Sequence, residues 1–146
     1  MTEAPSLADD RTAGTTFIFV YGSLMRGCDL HQYLAGATFV GEGWTQGTLL
    51  AVDRYPALID GDGQVAGELY RLEDSAVSLE ALDDLEDFDP ANAEDSLYVR
   101  TVRDVHGKDG SLVRAWVYLY NKDTSAAPRI TSGDWRQFCG VANKRT

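Results

Sequence analysis

The chain has 146 residues, of which 44% are apolar, and a chain of this size can hide roughly 70% of its unfolded surface, which sets the expectation of one globular domain. Its 23 acidic residues outweigh 13 Lys and Arg for a net charge of −10; such a surface repels phosphate backbones, no basic run with interleaved aromatics offsets it, and nucleic acid is not an expected partner. No apolar run approaches the ~20 residues that span a bilayer, so no membrane partner is expected either.

Cys28 and Cys139 lie far apart and belong to no CxxC pair. Neither a disulfide framework nor a thiolate metal site is therefore expected, and a reduced, cytoplasmic setting fits best. Two histidines, His31 and His106, are too few for a His-based centre, so neither metal nor cofactor is expected.

The first fifteen residues, "MTEAPSLADDRTAGT", are acidic and carry neither a basic n-region nor an apolar h-region; a disordered tail is expected there rather than a secretory signal. Residues 16–121 are expected to form the domain, and 122–146 an extension packed on it. The β-branched and aromatic run "TFIFVY" (16–21) predicts a strand that stops abruptly at Gly22. Residues 37–52 predict one long strand or two, bent at glycines. "DGDG" (60–63) signals a turn before a strand over 64–72, and "LYVRTVRDV" and "SLVRAWVYLY" flank "HGKDG" as a hairpin. A short helix fits between Cys28 and Ala35, and a longer one from Ser75 to Phe88 with Ser75 as N-cap candidate. Strands outnumber helices and join mostly by turns, and no G-x-G-x-x-G or alternating βα pattern occurs. The expected class is α+β, a bent mixed sheet or partial barrel of five to six strands with two or more short helices.

The longer helix carries five acids within "LEALDDLEDF" (79–88). At about 100° per residue, Leu79, Ala81, Leu82 and Leu85 define an apolar stripe, from which Glu80, Asp83, Asp84 and Asp87 are expected to project into solvent. Glu86 differs, four residues after Leu82 and seven after Leu79, on the margin of the stripe. If carried inward, its pKa rises by desolvation, which suits a carboxyl that takes and returns a proton near neutral pH. A boundary residue reaching back to water is the structural alternative.

The ordered pieces "VYGSL" (20–24), "YPAL" (55–58), "VAGELYRL" (65–72), "LDDLED" (82–87) and "YVR" (98–100) together resemble the γ-glutamylcyclotransferase-like family, which includes γ-glutamylamine cyclotransferases and related bacterial and plant proteins. The resemblance implies cyclisation of the γ-glutamyl part of a γ-glutamylamine or γ-glutamyl peptide to 5-oxoproline, with release of the amine and without a metal. It implies Glu86 as the general acid and base, and the loop Tyr21, Gly22, Ser23 and Leu24 as the binder of the glutamyl portion through backbone groups. A helix N-terminus following that loop would add its dipole. Tyr98 and Arg100 match the family's Y-x-R strand and, with Tyr55 and Tyr118, are candidates for substrate contact. Each also has a structural reading: a strand face, a turn at Tyr55-Pro56, or an aromatic row of Trp116, Tyr118 and Tyr120. Two departures stand out. Asp87 occupies a position where many members have glycine, and "DFDPANAEDS" makes the next connection long.

A small-molecule partner and a monomeric or homodimeric chain are expected. Two other functional classes remain open: acyl transfer through Ser23, against which "VYGSL" lacks the G-x-S-x-G elbow, and a protein of the same fold that binds a small carboxylate without turnover.

Overall fold

The computed structural model describes residues 16–22, 24–26, 28, 31–52, 55–73, 75–135 and 137–138. The expected N-terminal tail, Ser23 and Cys139 lie outside these described residues.

Five strands, β1 (Phe17–Val20), β2 (Thr38–Val52), β3 (Tyr55–Arg71), β4 (Tyr98–Gly107) and β5 (Leu112–Tyr120), close into a barrel in the order β1-β3-β2-β4-β5. Neighbours are antiparallel except β1 and β5, which run parallel and meet at Ile18 and Trp116. The connection from β3 to β4 carries an α-helix, α1 (Ser75–Leu85), followed by a 3-10 segment, Pro90–Asp95. The fold is thus α+β, as the sequence predicts, with the sheet closed rather than partial. Alternation along the strands turns Ile18, Leu49, Leu58, Val65, Leu69, Val105 and Val117 into one core, and α1 adds Leu79 and Leu82 to it.

Two elements differ from expectation. The "DGDG" segment does not end a strand, because β3 runs through it. Thr48 pairs with Ile59 and Gln46 with Gln64, so residues 60–63 bulge opposite Gly47 alone. Turn-forming chemistry is accommodated as a bulge because the hairpin partner continues on both sides. Among the described residues after Cys28, the expected helix is a four-residue 3-10 turn, His31–Leu34, too short to carry an appreciable helix dipole.

The seam between β2 and β4 is paired only from Gly43 to Thr45. Further along, β2 turns to the C-terminal segment instead: the Ala51 N–H donates to the Pro128 carbonyl at 2.9 Å and the Ile130 N–H to Leu49 at 2.8 Å. Ile130 and Trp135 of this segment are buried in the core. The unpaired end of the seam therefore stays open at the end of the barrel where β1, β2 and β5 finish and β3 and β4 begin.

Candidate active site

That end of the barrel holds a cavity of about 460 Å³, lined by the finish of β1, the loop at Tyr21, Gly22 and Leu24, the facing ends of β2 and β3 at Val52, Tyr55 and Pro56, the end of α1, and Tyr98, Tyr118 and Tyr120. Its size is that of small-molecule sites, which commonly span 300–1,000 Å³.

Glu86 enters this cavity because of how α1 stops. Its N–H makes the last helical bond, to the Leu82 carbonyl at 2.9 Å. Asp87 then adopts a left-handed φ of 59°; its N–H bonds Asp84, and the Phe88 N–H bonds Asp83 at 2.8 Å. These two bonds form a Schellman cap with Asp87 at C′. Glycine fits such a left-handed position best. The cap fixes Glu86 as the residue immediately after α1, facing the void beside Leu85. Among the described residues no group donates a hydrogen bond to its carboxyl, and burial pushes its pKa up to about 7. Its place at the negative end of the helix dipole acts in the same direction.

Asp83 corrects the expectation of a solvated acid. It is 6% exposed and accepts two bonds from Arg100, from Nε at 2.7 Å and Nη2 at 3.0 Å, and one from the Tyr118 hydroxyl at 2.7 Å. A buried carboxylate is tolerable when paired and fully hydrogen-bonded in this way. Arg100, expected at the substrate, does not line the cavity; its guanidinium is spent on Asp83 and lies 4.3 Å from the centre of the Trp116 ring.

The tyrosines expected from sequence do converge. Tyr21, Tyr55, Tyr98 and Tyr118 all line the cavity, and Tyr120 joins them. Three have committed their hydroxyl protons: Tyr21 to the Tyr118 carbonyl at 2.6 Å, Tyr98 to the Pro56 carbonyl at 2.5 Å, and Tyr118 to Asp83. Burial, with the nearby Glu86 charge adding to it, holds all three phenols above their usual range. They remain protonated and tie β1, β3, β5 and α1 together around the void.

The loop after β1 is held open by partners that sequence reasoning missed. Glu68 is fully buried on β3; it accepts from the Arg26 N–H at 2.9 Å, Arg26 Nε at 3.2 Å and the Tyr70 hydroxyl at 2.8 Å. Its signal was a lone acid inside the apolar run "VAGELY". His31 Nδ1 donates to the Leu24 carbonyl at 2.9 Å, and the Met25 N–H bonds Gly22. Pro56 packs so closely on Gly22 that a Cβ there would overlap its ring. Bound in this way, Gly22 and Leu24 are both buried, yet neither N–H finds an acceptor among the described residues. Buried backbone donors are almost always satisfied, so two that share a cavity wall point to a ligand.

Comparison with known proteins agrees with this architecture. The family model described as "Gamma-glutamyl cyclotransferase, AIG2-like" matches residues 18–137. The chain belongs to this family. A γ-L-glutamyl-butirosin B γ-glutamyl cyclotransferase from Niallia circulans is 31% identical over 83% of this chain and 76% of its own length. A putative γ-glutamylcyclotransferase from Vibrio cholerae is 32% identical over 82% and 95%. Among solved structures, an AIG2-like protein from Mus musculus superposes with a TM-score of 0.64 at 29% identity, covering 78% of this chain and 84% of that one.

Proposed function

We propose that the protein is a γ-glutamyl cyclotransferase, converting a γ-glutamylamine or γ-glutamyl peptide to 5-oxoproline and the free amine. The observation that carries the reading is one cavity holding both a half-buried carboxyl whose pKa desolvation pushes up to about 7 and the N–H groups of Gly22 and Leu24, which find no acceptor among the described residues.

In this reaction the substrate supplies its own nucleophile. The α-amino group attacks the γ-carbonyl carbon while Glu86 accepts its proton, and the tetrahedral oxyanion forms. The C–N bond to the amine then breaks as Glu86 returns the proton to the departing nitrogen. A pKa near neutrality suits both transfers, and such acid–base catalysis contributes ~10²- to 10⁴-fold. The Gly22 and Leu24 amides suit the oxyanion, where one lost donor costs about 3 kcal/mol. They are fixed beforehand by Glu68 and His31, so little reorganisation is needed. The tyrosine walls confine the flexible chain in the curled form that cyclises. Family membership and the names of its relatives support the same chemistry.

The deciding experiment measures 5-oxoproline release from a panel of γ-glutamyl amines and peptides with the wild-type chain and Glu86→Gln. At least one compound should turn over, with kcat in the variant lower by ~10²-fold or more. Turnover undiminished in Glu86→Gln would remove Glu86 from the mechanism; hydrolysis to free glutamate would replace cyclisation with ordinary amide cleavage.

A further inference from the structure

The cavity exceeds what the reacting group needs. The roughly nine heavy atoms of a γ-glutamyl group, packed at organic density, fill less than half of a void that would hold about fifteen waters. The remaining wall is formed by Val52, Tyr55, Leu97 and Tyr120. The rings of Tyr98 and Tyr120 meet edge to face at 5.3 Å, and Tyr55, 57% exposed, marks the entrance. Among the described lining residues there is no Lys or Arg, and Glu86 is the sole carboxyl. Its electrostatic neighbours are Tyr21, Tyr98 and Tyr118.

We propose that the amine released by this protein is apolar, seated on the Val52, Tyr55, Leu97 and Tyr120 wall, and that a charged group at its far end is disfavoured. The inference rests on the cyclotransferase reading and adds the class of leaving group to it. An aliphatic or aromatic chain gains by leaving water for such a wall. An ammonium or carboxylate placed there loses hydration and, among the described lining residues, meets no charged side chain other than Glu86.

Three γ-glutamyl amides that share one chain length test this: the hexylamide, the mono-amide of hexamethylenediamine, and the amide of ε-aminocaproate, ending in methyl, ammonium and carboxylate. With the wild-type protein, kcat/KM for 5-oxoproline release should favour the hexylamide by about tenfold or more over both others. Equal or better turnover of either charged compound overturns the proposal.

Calorimetric binding of the same three compounds to Glu86→Gln reads the wall without turnover. The hexylamide should again bind tightest by about tenfold, and a charged compound binding best, or none binding, overturns the proposal. Tightest binding of the hexylamide without 5-oxoproline from any compound in the wild type would instead uphold the wall while defeating the cyclisation reading. Tyr55→Glu, at an exposed position, should narrow the gap between the hexylamide and the diamine compound; an unchanged gap would remove Tyr55 from the seat.

Discussion

Asp83 in the last turn of α1 and Glu86 just after it lie about one turn apart and meet opposite environments. Asp83 accepts three hydrogen bonds from Arg100 and Tyr118, whereas the Glu86 carboxyl faces a cavity with no donor among the described residues. The division follows from what the barrel brings up to each. β4 and β5 present a guanidinium and a phenol to Asp83, and the open end of the barrel leaves Glu86 to desolvation alone. One carboxyl is thereby made structural and its neighbour is left free to titrate.

Removing the Asp83 charge should unfold the site before it alters the chemistry. Asp83→Asn keeps the volume but leaves the Arg100 guanidinium, 15% exposed in its side chain, without a countercharge. Breaking one side of a buried pair costs about 3–5 kcal/mol. Urea unfolding should show a loss of this order for Asp83→Asn, against under about 0.5 kcal/mol for the exposed Asp84→Asn. A double replacement, Asp83→Leu with Arg100→Met, should recover part of the loss, since apolar residues of similar size can substitute for a buried pair. Equal stability of Asp83→Asn and Asp84→Asn would show that the pair holds nothing together.

The misassignment of Asp83 shows where the sequence was legible and where it was not. β-branched and aromatic runs and the "HGKDG" turn sufficed to foresee β1, β2 and the β4–β5 hairpin, and of the family pieces "YPAL", "VAGELYRL" and "YVR" lie on or beside the strands while "LDDLED" closes α1. Periodicity alone would also have put Asp83 inside, because Leu79, Leu82, Asp83 and Glu86 follow the i, i+3, i+4, i+7 stripe, while Ala81 is exposed. A stripe drawn through Ala81 and Leu85 instead leaves Asp83 outside, which is why the apolar residues alone place it in solvent. Burial was decided by Arg100 and Tyr118, 17 and 35 residues away, and long-range partners of that kind leave no local trace. The same holds for the parallel closure of β1 on β5 and for "DGDG", whose turn chemistry yielded to its pairing partners on β2; Glu68 does leave a trace, a lone acid in an apolar run, but not the identity of its partner Arg26.

Asp87 offers a test of the cap that aims Glu86. A non-glycine residue at a φ of 59° is strained, less for Asp than for most others. Asp87→Gly should stabilise the fold by about 0.5–1 kcal/mol, and Asp87→Ala should be less stable than Asp87→Gly by a similar margin or more. Chemical denaturation at matched pH measures both. A less stable Asp87→Gly would mean that the Asp side chain, rather than the left-handed backbone, secures the helix end.

Glu86 itself should show stability and activity running against each other with pH. Its folded pKa of about 7 lies above the ordinary value of 4.5, so the native state favours the protonated form. The associated stability is fully present below about pH 4.5 and is lost as pH rises through 7. At 1.36 kcal/mol per unit, reduced for the partial solvent access of a cavity wall, ionising Glu86 costs the fold about 1–3 kcal/mol. Glu86→Gln, permanently neutral, should therefore match the wild type near pH 4 and exceed it by about that amount at pH 8. The proposed reaction needs the opposite state: wild-type kcat/KM should climb with pH through an acid limb near 7, while the variant stays low and lacks that limb. Thermal melts and 5-oxoproline release across the same pH series read both trends. A variant less stable than the wild type at pH 8, or one that keeps the limb near 7, would mean that another group titrates there and that Glu86 is neither the strained carboxyl nor the base.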